Sequence, residues 1–160
     1  MSGIFNQMIN ELMPLMKIVE NAIGKIILND QILIRDGQEW ALSNKLGMYL
    51  FQDFPGWHVD CEYNRTGFGD DPKRASDQGQ KRPDIIIHRR GLLGTENNLL
   101  WVEVKIKNSN ASDDIVKIKE FTSVPSGSRK IQYKYGLSIS FIPKIQLTWI
   151  ENGVEIQREP

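Results

Sequence analysis

The chain holds a single cysteine, Cys61, in 160 residues, so no disulfide can form within it. Its two histidines, His58 and His88, stand in separate segments, and with one thiol they make no zinc-ligand spacing. A cytoplasmic, reducing setting is therefore expected. No apolar run approaches the ~18 residues of a membrane helix. The N-terminal apolar residues are interrupted by Asn6, Gln7, Asn10 and Glu11 and lack a basic leader, so neither a span nor a signal peptide is expected. Net charge is also lacking: Lys plus Arg and Asp plus Glu number 20 each, which neither favours nor excludes a polyanionic partner. Any nucleic-acid surface has to be local. No internal repeat or low-complexity tract is present.

What remains is the composition of one folded domain, long enough to bury roughly 70% of its unfolded surface. Residues 3–28 carry apolar side chains at three- and four-residue spacings, predicting an amphipathic helix that Pro14 kinks or restarts near Met13. Its Met-bearing stripe is expected to pack on the domain's own core. Ile32 to Ile34 read as an apolar connector. Asp36 and Glu39 form a capping-box pattern ahead of a second helix, which Pro55-Gly56 ends. Trp57, Val59, Cys61 and Tyr63 alternate with polar residues, as in a strand with one buried face that Cys61 helps to fill. Residues 65–82 read as a long irregular connection. A helix capped by Ser112 or Asp113 follows two central strands, then strands over Tyr135–Phe141 and Ile145–Trp149. The expected class is an α/β sheet domain.

The two central strands, within Lys81 to Asn108, carry charge where core strands should not. Asp84 opens the first, ahead of Ile85, Ile86 and Ile87; Glu103 and Lys105 interrupt the second. Strand side chains alternate faces, so Glu103 and Lys105 share a face and Val102, Val104 and Ile106 take the other. A neighbouring strand brings Asp84 beside Glu103. Two converging carboxylates repel unless one is protonated or a cation lies between them. A hard divalent cation suits such a pair, taking one or two carboxylates and filling its shell with water and phosphate oxygens. A nearby ammonium then positions water or offsets transition-state charge.

Pro83-Asp84, eighteen intervening residues, then Glu103-Val104-Lys105 resembles the signature of the PD-(D/E)XK nuclease superfamily, and the order helix, three strands, helix, strand resembles its core. The segments VDCEYNRTG, RPDIIIHRRG and NNLLWVEVKIKN are similar to small bacterial members. The resemblance covers about residues 36–142 and implies a restriction-endonuclease-like core there, a mixed central sheet flanked by helices, with residues 1–35 as a helical extension and 143–160 as a last strand and tail. It also implies a Mg2+- or Mn2+-dependent nuclease acting on DNA, with Asp84 and Glu103 as metal ligands and Lys105 at the water. Many members add a Glu from the first core helix, where Glu39 stands, and a homodimer follows by analogy.

From Asn64 to Arg90 seven Lys/Arg face four Asp, a local basic excess. Arg65, Lys73, Arg74, Lys81 and Arg82 are candidate phosphate contacts. His88, on the Asp84 face of its strand, reads as a surface residue at the strand end, with support of a metal ligand or a phosphate contact as its functional alternatives. The competing functional class is a catalytically silent module that keeps the fold for protein or nucleic-acid binding, with the Met-bearing first helix as its docking face.

Overall fold

The computed structural model describes residues 12–63, 82–108, 111–127 and 129–157. The start of the first predicted helix, the long connection, and Arg65, Lys73, Arg74 and Lys81 lie outside the described residues. The first described helix, α1, spans Leu12–Asn29 and buries Leu15, Met16, Val19, Ala22, Ile23 and Ile26, the expected stripe. Pro14 falls in its first turn, where a missing N–H leaves no bond unmade. A short helix, α2 (Gln31–Arg35), stands where an apolar connector was expected, and only Ile34 of that run is buried. Helix α3 spans Glu39–Phe51.

Among the described residues six strands follow: β1 (His58–Cys61), β2 (Ile85–His88), β3 (Asn98–Lys107), β4 (Tyr135–Ile142), β5 (Gln146–Glu151) and β6 (Val154–Glu155), with helix α4 (Ala111–Thr122) between β3 and β4. They form one sheet in sequence order. Only the β3–β4 pair is parallel, because α4 carries the chain back across the sheet. The fold is thus α/β with a mixed sheet flanked by helices. Strand β6, built from Val154 and Glu155 after the Asn152-Gly153 turn, was not anticipated; two residues are too few to show a period.

The two sheet faces are covered differently. Helices α1 to α3 cover Ile85, Ile87, Leu100, Val102, Val104, Ile106, Leu137 and Ile139, so the N-terminal helix packs on the same core, as its apolar stripe predicts. On the other face, α4 and the segment before β4 enclose a smaller cluster of Ile86, Trp101, Ile118, Phe121, Ile131, Tyr133 and Ile150. Trp101 stacks on Phe121 with ring centroids 4.2 Å apart. Gly136 lets α4 lie this close: a Cβ there would overlap the side chain of Ile118. The apolar cover ends partway along this face, and the charged residues of β3 lie beyond it.

Candidate active site

Strand β2 stops at Ile85, opposite Val102, while β3 runs on to Lys107. The N–H groups of Val104 and Ile106 therefore point past the end of their neighbour. Side-chain carboxylates take them: Asp84 Oδ2 accepts from Val104 N at 2.7 Å, and Glu39 Oε2 accepts from Ile106 N at 3.2 Å. The backbone of Asp84 is fixed in turn by the N–H of Glu62, which donates to its carbonyl. Glu39 does not reach back to close a capping box. It is the first residue of α3, Gln38 precedes it without a side-chain cap, and Asp36 pairs with Arg35 instead. An unpaired strand edge is the stronger demand on its carboxylate.

Trp101, Glu103 and Lys105 alternate along the α4 side of β3. Beside them, Ser138 and Ser140 of β4 stand opposite Glu103 and Lys105, both buried, so the floor stays polar. Because α4 begins directly after β3, its first turns lie over this floor and bring Asp114 and Lys117 to it. The charges then alternate in a chain. Lys117 Nζ is 2.9 Å from Glu103 Oε1 and 3.5 Å from Asp114 Oδ1. Lys105 Nζ is 3.7 Å from Asp114 Oδ2 and 2.9 Å from Glu39 Oε1. Trp101 Nε1 donates to Glu103 Oε1 at 2.7 Å and anchors that end.

Sequence reasoning singled out Asp84, Glu103, Lys105 and Glu39, and the fold brings all four to this fork. It missed Asp114 and Lys117. A signal existed for Asp114, which lies on the buried stripe of α4 with Ile118 and Phe121, where an apolar residue would be expected. Nor is Glu103 on an exposed face: it is 2% exposed.

Burial sets the protonation states. Loss of solvent, with the Asp84 charge adding to it, pushes Glu103 up to about 8, against the opposing pull of Lys117. Burial also raises Asp84, opposed by the Val104 N–H and the two lysines. Burial works to lower Lys105 and Lys117, but their carboxylate partners outweigh it and both lie above the ordinary lysine value. Both are ammonium ions at neutral pH.

Among the described residues, no group of three or more His, Cys, Asp and Glu side chains is arranged to hold a metal ion, and two ammonium groups pair with the carboxylates. The donors are nonetheless oxygens of the kind a hard cation takes. Asp84, Glu103, Asp114 and Glu39 outnumber the two lysines, every donor is oxygen, and Asp114 Oδ2 is buried without a hydrogen bond. Asp84 and Glu103 are the residues that would hold Mg2+ or Mn2+, with Glu39 at the margin.

Arg82 is exposed just ahead of Pro83 and Asp84, as a phosphate contact requires. His88 is not the exposed strand-end residue expected: it is 2% exposed. Strand β1 pairs His58 with His88 and so brings Asp60 against it, with Asp60 Oδ2 2.8 Å from His88 Nε2. Arg90 binds both oxygens of the same carboxylate. Burial would raise Asp60, but these partners hold it well below the ordinary carboxylate range. A carboxylate lowered by folding stabilises the fold above its unfolded value and loses that contribution as pH falls through its folded one. Asp60→Asn is expected to cost about 3 kcal/mol in urea unfolding at pH 7. The difference from wild type should shrink below about pH 4.

Cys61 is half-buried against the α1–α3 core, with Gly47 leaving room for its sulfur, and burial pushes its thiol up to about 11. It is no nucleophile at neutral pH. No described helix is long and apolar enough to cross a membrane. Comparison with family models, curated proteins and solved structures gave no match for this chain.

Proposed function

We propose that the chain is a divalent-cation-dependent nuclease with its active site at the fork where β2 ends and β3 continues. The observation that carries this reading is the meeting of Asp84, a buried Glu103 and Lys105 at that fork, with Glu39 reaching in from α3. The element order supports a restriction-endonuclease-like core: helix α3, antiparallel strands β1 to β3, helix α4 and parallel strand β4.

Asp84 and Glu103 would hold Mg2+ or Mn2+. When bound, the cation polarises the phosphodiester and supplies a water of lowered pKa. The Val104 N–H holds one oxygen of Asp84 in place. Lys105, raised by Glu39 and Asp114, acts as a charged donor that orients water and offsets charge on the phosphate, not as the base. Glu39 fixes the Lys105 ammonium. Arg82, beside Asp84 in the chain, guides the phosphate backbone toward the fork, and DNA is the substrate that the PD-(D/E)XK resemblance favours.

The competing reading, a silent binding module, drew on the Met-bearing face of the first helix. In α1, Leu15, Met16, Val19, Ile23 and Ile26 of that face are buried in the core, while Met13 and Ile27 are exposed. Incubation with supercoiled, linear, single-stranded and branched DNA and with RNA tests the proposal. Cleavage of DNA is expected in Mg2+ and none in EDTA. If no substrate is cut in Mg2+ or Mn2+, the silent module is the better account.

A further inference from the structure

Asp114 is the hub of the charge chain. It is 7% exposed, and it alone contacts both site lysines, at 3.5 Å and 3.7 Å. Those distances are ion pairs without a hydrogen bond. The other three acids each accept at least one bond of 2.9 Å or less. Asp114 accepts none, and its Oδ2 is shut off from solvent. The two lysines supply charge to this carboxylate, but no donor satisfies its buried Oδ2. It also lies on the buried stripe of α4 with Ile118 and Phe121.

Charge leads to the same residue. Four carboxylates, Asp84, Glu103, Asp114 and Glu39, face two ammonium groups, Lys105 and Lys117. One divalent cation balances the set when all four are ionised. Lys117 now spans Glu103 and Asp114, so a cation held at Glu103 takes over a place beside Asp114 that an ammonium fills.

We infer that Asp114 is a further acidic contact of the cation site, engaging a bound divalent cation directly or through one of its waters by the oxygen that has no hydrogen bond. The inference rests on the metal-dependent reading above and adds a residue from α4 that the Asp84, Glu103 and Lys105 pattern does not contain. Mg2+ and Mn2+ keep waters that donate strongly, and a buried, unbonded carboxylate oxygen is a fitting acceptor for them.

Calorimetric titration of Mn2+ into the full chain, without nucleic acid, tests this. Asp114→Asn keeps the shape and removes the charge; it is expected to weaken Mn2+ binding about tenfold or more. Its unfolding temperature in EDTA should stay close to that of wild type. Asp114→Ser, smaller and uncharged, should show the same loss if the amide disturbs the lysines. Asp84→Asn serves as the reference for loss of a ligand. Should both Asp114 variants bind Mn2+ as tightly as wild type while Asp84→Asn does not, Asp114 only seats the lysines, and the inference is overturned while the metal-dependent reading stands. If wild type itself binds no Mn2+, that reading fails and takes the inference with it.

Discussion

Glu103→Gln is expected to stabilise the metal-free protein by roughly 3–5 kcal/mol above pH 8 and by almost nothing near pH 4. An unfolded glutamate loses its proton near 4.5, whereas burial holds the proton on folded Glu103 up to about 8. Between those values the folded state binds more protons than the unfolded one, so stability falls as pH rises through the window and levels off above it. A neutral glutamine keeps the acceptor for Trp101 Nε1 and has no charge to desolvate. The difference between variant and wild type should therefore grow across that window in chemical unfolding with EDTA present. A difference independent of pH would mean that Glu103 is ionised in the folded protein and fully matched by Lys117.

The second large effect is on cleavage. Lys105→Ala removes the ammonium held 2.9 Å from Glu39 and is expected to lower the cleavage rate by about 10^2 to 10^3. Asp84→Asn still accepts from Val104 N through its carbonyl oxygen, so the strand edge stays capped while the ligand charge is lost. It should cost at least as much. Glu39→Gln keeps an acceptor for Ile106 N and leaves Lys105 without its closest partner, for a smaller loss of about tenfold. The ranking Asp84 and Lys105 above Glu39 separates residues that meet the cation or substrate from one that positions a neighbour. Single-turnover rates at saturating Mg2+ read it, with unfolding temperatures confirming that each variant folds.

Much of this site was legible because misplaced charge is conspicuous. Asp84, Glu103 and Lys105 break apolar strands, and the period of two puts Glu103 and Lys105 on one face whatever the fold around them. Glu39 was legible as a residue and misread as a contact. Its capping-box spacing is a local signal, and the decisive partner, the Ile106 N–H, is far away in the chain and freed only because β2 stops early. Asp114 and Lys117 were missed because a polar helix start after a strand is ordinary; their role depends on α4 lying over β3. His88 was misjudged for the same reason. Its burial depends on the register of β1 against β2, which the long connection between those strands hides. Helix α2 is a single turn and a half, below the length at which a helical period separates from an apolar run.

The most direct test of the fork as a nuclease site is cleavage of one plasmid substrate by wild type and Asp84→Asn, purified in parallel and assayed in Mg2+ and in EDTA. Product is predicted from wild type in Mg2+ and from no other combination. Equal product from both chains, or none from wild type in Mg2+ or Mn2+, would contradict it.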